Sequence, residues 1–178
     1  MVGHYLRFPN DRAIGHVTLY ASREAAARDP HGHATPPRRF DARGPIAVDG
    51  ASYIALAYRA GDVADLALLA SLEATDLQVL SCALCTVRDV DLVHLGRLTG
   101  LEEIDLTDTM IVGPGLWHLR ALPRLRHLAL DFTNLTAAAL PHLFALPHLR
   151  RLTIAGTPLG REESTSVRRL LPYCDVRY

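Results

Sequence analysis

Apolar residues recur along most of the chain with one fixed spacing. Seven positions of a 24-residue frame (1, 4, 6, 11, 16, 19 and 22) are apolar in 33 of 35 instances over five repeats. This is far more than a composition of 49% hydrophobic residues gives by chance. The frame is set by Tyr53, Leu77, Leu101, Leu125, Leu149 and Tyr173. From residue 53 onwards the chain is therefore a series of repeated units.

Two spacings inside the unit predict its secondary structure. Positions 1, 4 and 6 follow the alternation of a strand with one buried face. Positions 16, 19 and 22 are three apart, as expected for the inner stripe of a helical turn. Each unit is thus a strand, a turn and a short helical segment. Because one unit cannot bury its apolar face alone, the units must stack into a curved solenoid with parallel strands on its concave side.

These repeats resemble the leucine-rich-repeat family over about residues 53–178. The pattern L-x-x-L-x-L-x-x-(N/T/C)-x-L matches residues 101–111 and 125–135. The period and the L-x-x-T-x-(I/L) form are similar to a bacterial class whose last repeat commonly closes with Leu-Pro-x-Cys-x-(I/V), and residues 171–176 read Leu-Pro-Tyr-Cys-Asp-Val. A buried polar ladder replaces the usual Asn, with the members Gly61, Cys85, Thr109, Thr133 and Thr157. The resemblance implies an α/β solenoid that binds other proteins.

The first 50 residues do not follow the repeat. Their patterns predict strands at residues 5–8, 15–20 and 45–49, and a helical turn through Arg28 that is capped by Ser22. Residues 29–39 are typical of a loop, and Asp49-Gly50 indicates a hairpin turn before the first repeat strand. We therefore divide the chain into a β-rich N-terminal cap (residues 1–50) and a solenoid (residues 51–178) of about five repeats and a terminal half-repeat. Such a cap would cover the first repeat strand, which would otherwise be an exposed edge.

The net charge of zero conceals an uneven distribution. The 19 basic residues are all arginine, and they balance 19 acidic residues. Residues 1–50 carry +2, residues 51–110 carry −7 and residues 111–178 carry +5. Because a solenoid lays its sequence out along an axis, this predicts an electrostatic dipole that orients a partner or a second copy. The lack of lysine and of aromatic residues among the arginines disfavours nucleic acid.

Two sets of side chains suggest metal or redox chemistry. Cys82 and Cys85 form a C-x-x-C motif, which occurs in zinc and redox sites. The frame places Cys82 in the core and Cys85 in the polar ladder, so we interpret both as buried structural thiols. One histidine recurs at position 18 of three successive repeats, and we assign this column, His94, His118 and His142, to surface or packing roles.

The sequence holds no recognisable catalytic motif. A phosphate-binding loop, a nucleophile elbow and the H-E-x-x-H motif are all missing from it. We therefore expect no enzyme, no cofactor and no metal. A metal-dependent enzyme remains an alternative, built on His4, His16, His31 and His33. No stretch is apolar enough for a membrane span, and the N-terminus is unlike a signal peptide, so a cytoplasmic location is expected.

The concave face is the predicted contact surface for a protein or peptide partner. Positions 3, 5 and 7 point outward from it, with position 8 at its rim. Phe132 is a large aromatic residue at the rim, flanked by carboxylates, as in many binding hot spots. The predicted partner-binding residues are Glu103, Asp105, Asp108, His127, Asp131, Phe132 and Arg151.

Two features compete with this interpretation of the face. Neighbouring strands predict the ion pairs Glu103–His127 and Glu102–Arg126, and a self-satisfied ladder of such pairs is the alternative to a binding surface. Trp117, on the convex side, is a second candidate anchor, although its repeat column favours packing. The leading function is a non-enzymatic interaction module, and the alternative is a self-associating assembly element.

Overall fold

The computed structural model describes residues 4–27, 37–48 and 53–178. Its strands are β1 His4–Arg7, β2 Gly15–Tyr20, β3 Arg38–Asp41, β4 Pro45–Val48, β5 Tyr53–Tyr58, β6 Val79–Ser81, β7 Glu103–Asp105, β8 His127–Ala129, β9 Arg151–Thr153 and β10 Asp175–Arg177. Its α-helices are α1 Arg23–Ala27, α2 Leu140–Phe144 and α3 Arg161–Leu170. Its 3-10 helices are Leu66–Ser71, Asp89–Leu95, Pro114–Ala121 and Ala137–Ala139.

The strands of successive repeats form one parallel ladder. β5 to β10 pair in sequence order, and each pair joins residues that are 24 positions apart. Glu103 thus lies opposite His127, which lies opposite Arg151. The chain is thus an α/β solenoid of 24-residue repeats, as the repeat pattern predicts.

The core consists of the repeat positions that point inward. Leu80, Ile104 and Leu128 are buried on successive strands, and Leu92, Leu95 and Leu98 are buried behind them. Most of the segments opposite the sheet are 3-10 helices. The sequence explains this form, because apolar side chains three residues apart align on a helix with three residues per turn.

The first repeat departs from the predicted frame. Its buried leucines are Leu66 and Leu69 in the 3-10 helix and Leu72 directly after it, each two residues before the frame position. Asp65 accepts a hydrogen bond from the backbone N–H of Ala67 at 3.2 Å and so begins this helix early. Before this cap, Val63 is predicted to be buried, but 73% of its surface is exposed and the next residue, Ala64, is buried instead. The shift explains why Ser71 occupies a predicted core position.

The N-terminal strands extend the sheet of the solenoid. β2 pairs antiparallel with β5 on one side and with β3 on the other, which gives a sheet of eight strands. Gly15 is required in β2, since a Cβ there would overlap the backbone of Ala57. Ser22 caps α1 by accepting a hydrogen bond from the N–H of Ala25 at 3.2 Å.

Two local expectations for this segment are wrong. β4 pairs with β1 and not with β5, so the strands on either side of Asp49-Gly50 do not form a hairpin. Arg38 and Arg39 belong to β3, where the sequence pattern predicts a loop. Residues 29–36 of that predicted loop, the Asp49-Gly50 turn itself and the end of the predicted helical turn at Arg28 lie outside the described residues.

Candidate functional site

The outward side chains of the middle strands form an open groove on the concave face. In β7, β8 and β9 the central residue is buried and its two neighbours point outward. This alternation brings Glu103, Asp105, His127 and Arg151 to one groove of about 300 Å3. Four of the seven predicted partner-binding residues therefore lie together, while Asp108, Asp131 and Phe132 lie outside the groove lining.

The predicted ion pair between Glu103 and His127 is present. The Nδ1 atom of His127 lies 3.2 Å from Oε1 of Glu103, and both side chains are partly exposed. The hydrogen bond from His127 holds the pKa of the Glu103 carboxyl below its usual value. Partial burial opposes this effect, and the charges of His127, Arg23 and Arg151 add to it. Glu103 is therefore a stable anion at the centre of the groove.

The second predicted ion pair, Glu102–Arg126, is wrong. Glu102 points towards the N-terminal segment, where its Oε2 lies 3.0 Å from Nε of Arg23 in α1. Arg126 is exposed, and its backbone N–H donates a 2.8 Å hydrogen bond to the Glu102 carbonyl. Partial burial, together with the charges of Glu102 and Glu103, raises the pKa of nearby Tyr53 to about 12.

Asp105 and Asp131 have structural partners. Asp131 accepts hydrogen bonds from the backbone N–H of Ala155 at 2.7 Å and from Oγ1 of Thr153 at 2.5 Å. Asp105 accepts one from the N–H of Thr107 at 3.0 Å. These two carboxylates therefore stabilise the turns that follow the strands, and hydrogen bonds within the fold compensate part of their negative charge.

The rim of the face has an unusual backbone conformation. Leu84, Asp108, Phe132 and Gly156 stand at position 8 of successive repeats, with φ angles of +60°, +54°, +56° and +67°. Three of them carry side chains in the left-handed region, which costs about 1–3 kcal/mol for each residue. Hydrogen bonds between repeats maintain this conformation; the N–H of Phe132, for example, donates to the Ala155 carbonyl at 2.7 Å. The Phe132 side chain is 64% exposed.

The N-terminal segment enlarges the site in a way the sequence did not predict. A hollow of about 670 Å3 adjoins the groove and shares Glu103, His127 and Arg151 with it. Its other wall includes Arg23 and Tyr53. Periodicity cannot predict where the N-terminal segment lies relative to the face, because this segment has no repeat frame. The opposite charges of Arg23 and Glu102 were the only feature of the sequence that pointed to their contact.

A larger depression of about 880 Å3 lies elsewhere, between residues 12–14 and the turns that follow β5 and β6. It is lined by the exposed apolar side chains of Val63 and Met110 and by charged residues that include Arg12 and Arg88. The sequence pattern does not predict this depression, because it places Val63 in the core.

The two cysteines of the C-x-x-C motif are free and buried. Burial raises the pKa of both thiols, most strongly for Cys82. Cys85 Sγ donates a hydrogen bond to the Arg59 carbonyl at 3.3 Å. In the same ladder Thr109 and Thr133 donate to the carbonyls of Leu106 and Leu130, at 2.6 and 2.7 Å. Cys85 thus occupies the position of the ladder threonines, as the repeat frame predicts.

The histidines are dispersed over the molecule. His4 contacts Asp76 at 2.6 Å, His16 contacts Asp41 at 3.1 Å, and His31 and His33 lie outside the described residues. On the convex side, the ring of His142 meets Trp117 edge-on at 6.0 Å. Over the described part of the chain, no three His, Cys, Asp or Glu side chains are grouped to hold a metal ion.

Trp117 packs against neighbouring side chains. The guanidinium of Arg120 lies 3.2 Å from its ring centroid, so one face of the indole is covered. His142 covers a second side. This contact set favours the packing role over a partner anchor.

Among the described helices, none is long and apolar enough to cross a membrane.

Comparison with known proteins yields structural matches alone. No family model and no curated protein matches the sequence. An internalin, InlF, from Listeria monocytogenes is similar in structure, with 18% identity, 69% coverage of this chain, 39% coverage of the internalin and a TM-score of 0.47. A leucine-rich-repeat protein of Leptospira interrogans is similar with 19% identity, 58% and 32% coverage and a TM-score of 0.40. The chain spans less than half the length of either.

Proposed function

We propose that this leucine-rich-repeat protein is a non-enzymatic interaction module whose concave face binds an extended segment of a protein partner. One observation carries the proposal. The groove combines a Glu103–His127 pair with the exposed Arg151. The exposed Phe132 follows Asp131, which is hydrogen-bonded to Thr153 of the groove lining. An apolar anchor beside partly exposed charges is the combination found in protein-binding hot spots.

The geometry supports an extended occupant. The groove is open to solvent, and its floor is formed by the outward residues of short parallel strands. The small side chains of Ala55 and Ala57 continue the same face towards the N-terminal segment. A narrow peptide can follow this floor and reach Phe132 at the rim, and a polypeptide partner needs no catalytic group there.

Selection from a phage-displayed peptide library, followed by fluorescence anisotropy with the selected peptides, tests the proposal. We expect Phe132→Ala to weaken binding by about tenfold or more, which is the effect of removing an interface hot spot. Leu84→Ala is the matched control, because Leu84 has the same repeat position, a left-handed backbone and an exposed side chain. Unchanged affinity in both Phe132→Ala and Glu103→Arg would overturn the proposal.

Self-association is a second candidate, favoured by one edge of the sheet. β3 ends the eight-strand order, and its four side chains, Arg38 to Asp41, are exposed. An exposed edge strand can pair with the same strand of a second copy. Sedimentation velocity over a wide concentration range tests this. A strict monomer at high concentration would eliminate it, and Arg39→Pro should abolish any dimer that forms through this edge.

A further inference from the structure

The two oppositely charged parts of the solenoid use their charges differently. Seven of the ten acidic residues in 51–110 are engaged within the fold. Five of these accept backbone N–H groups, and the other two pair with Arg23 and His127. The engaged residues are Asp65, Asp76, Asp89, Asp91, Asp105, Glu102 and Glu103. Most carboxylates of this acidic region therefore stabilise turns and helix ends within the fold.

Within the described part of the chain, four arginines of the next repeats have no carboxylate paired with them. Arg124, Arg126, Arg150 and Arg151 are exposed, and the ion pairs found among the described residues do not include them. The nearest carboxylates of the face already have partners. Glu103 pairs with His127, Asp131 holds Thr153 and Ala155, and Asp175 pairs with Arg177 at 2.9 Å.

The backbone brings these four arginines together. The carbonyl of Arg126 accepts hydrogen bonds from the N–H groups of Arg150 at 2.7 Å and Arg151 at 2.9 Å. Neighbouring strands lie about 4.8 Å apart, and Arg124 precedes Arg126 by two residues. We call this set, at the N-terminal ends of β8 and β9, the arginine edge. It borders the groove, because Arg151 belongs to both.

We propose that the arginine edge binds a run of carboxylate side chains, so that the segment held by the concave face is an acidic peptide. This inference rests on the proposed function and specifies the partner of that site. The positive charges of neighbouring arginines repel one another, and a carboxylate bound between them offsets this repulsion. Guanidinium groups fit carboxylates through two parallel hydrogen bonds, which makes an arginine cluster suited to this ligand.

The rest of the face favours a peptide over a nucleic acid. Glu103, Asp105, Asp108 and Asp131 lie on the same face as the arginine edge or along its rim. A nucleic acid carries a charge at every phosphate and would meet these carboxylates as it followed the groove. A peptide can place its acidic residues on the arginine edge and its neutral residues beyond it.

Fluorescence anisotropy with defined probes tests the proposal. The probes are a fluorescein-labelled peptide that alternates Glu with Ser, the same peptide with Gln in place of Glu, and a single-stranded oligodeoxythymidine. The variant Arg126→Glu/Arg150→Glu reverses two charges of the arginine edge. The control Arg12→Glu/Arg169→Glu changes the net charge equally, at exposed arginines in the N-terminal segment and in α3. Circular dichroism should show both variants folded, since all four side chains are exposed.

We expect the Glu peptide to bind and the Gln peptide to bind at least about tenfold more weakly, with the difference shrinking as salt rises. Arg126→Glu/Arg150→Glu should lower the affinity for the Glu peptide by a similar factor, whereas the control variant should leave this affinity unchanged. Equal losses in the two variants would overturn the proposal, because net charge alone would then explain binding. Equal affinity for the Gln peptide, or tighter edge-dependent binding of the oligonucleotide, would overturn it as well.

Failure of this inference is distinguishable from failure of the proposed function. Library-selected peptides that depend on Phe132 but not on the arginine edge would preserve the groove and overturn the acidic partner. The opposite result is that the Glu peptide requires the arginine edge while the selected peptides are insensitive to substitution of Phe132 and Glu103. It would support the acidic ligand of the arginine edge and overturn the proposed binding groove.

Discussion

The ring of Phe132 lies against Gly156, the residue at the same repeat position one unit later. Both residues have a left-handed backbone, with φ angles of +56° and +67°. A Cβ atom on Gly156 would overlap Cδ1 and Cε1 of the Phe132 ring. The missing side chain at Gly156 therefore provides the space in which the exposed aromatic ring sits at the rim of the groove.

Gly156→Ala should displace the Phe132 ring and lower the free energy of unfolding. The left-handed backbone alone costs a residue with a Cβ about 1–2 kcal/mol, and the steric overlap adds to this. Gly61→Ala is the matched control, since Gly61 also has a positive φ, of +86°, but a Cβ added there would have no described atom within 4 Å. Urea unfolding and the NMR shifts of the Phe132 ring measure both effects. Equal destabilisation with unchanged ring shifts in the two variants would show that the ring does not depend on Gly156.

His127→Ala should raise the pKa of the Glu103 carboxyl towards its ordinary value, because the variant removes the hydrogen bond and the charge that lower it. A folded-state pKa below the unfolded one means that the stabilisation is present above the ordinary pKa of glutamate. It is lost as the pH falls through the folded-state value. An NMR titration of the Glu103 side chain measures this pKa. His94→Ala, at an exposed convex position, should leave it unchanged, and an equal response to both substitutions would contradict the assignment.

Periodicity allowed the repeat region to be predicted in detail. A 24-residue register puts equal repeat positions opposite each other on neighbouring strands, so Glu103 and His127 could be paired from their numbers alone. Strand alternation likewise assigned Ile104 to the core and its two neighbours to the outward face. Both inferences depend on the repeat frame, and both held where consecutive repeats are equal in layout.

Other features were beyond the reach of the pattern, for physical reasons. Glu102 pairs with Arg23, which belongs to a segment with no frame and whose placement depends on antiparallel pairing of β2. Hydrophobicity also says nothing about φ. Leu84 and Phe132 gave no sign of a left-handed backbone, which only Gly156 and Asp108 in the same column suggest. In the first repeat, the cap at Asp65 shifts the helix by two residues, and a uniform frame cannot show such a shift.

Asp89→Ala should destabilise the solenoid by about 2–4 kcal/mol, because three backbone donors lose a charged acceptor and water can replace it only in part. The Asp89 carboxylate accepts hydrogen bonds from Val112, Gly113 and Gly115 at 2.8, 2.9 and 2.7 Å, and so joins two successive repeats. Asp62→Ala is the control, since this exposed carboxylate has no hydrogen bond to another described residue and should change stability by less than about 0.5 kcal/mol. Chemical denaturation compares the two. Similar values for both would mean that Asp89 does not connect the repeats.

The three cysteines should react with iodoacetamide in the order of their exposure. Cys82 and Cys85 are buried, whereas Cys174 is partly exposed, with a thiol pKa that burial raises to about 11. Since the thiolate is the reactive form, native protein near neutral pH should be alkylated slowly, and at Cys174 alone. The rate should rise about tenfold for each pH unit until the pH approaches that pKa. Mass spectrometry of quenched samples gives the labelled positions, Cys174→Ser should remove the native label, and guanidinium should expose the other two. Fast native labelling of Cys82 or Cys85, or protection of this pair by added zinc, would contradict their assignment as structural thiols and support a metal or redox role for the C-x-x-C motif.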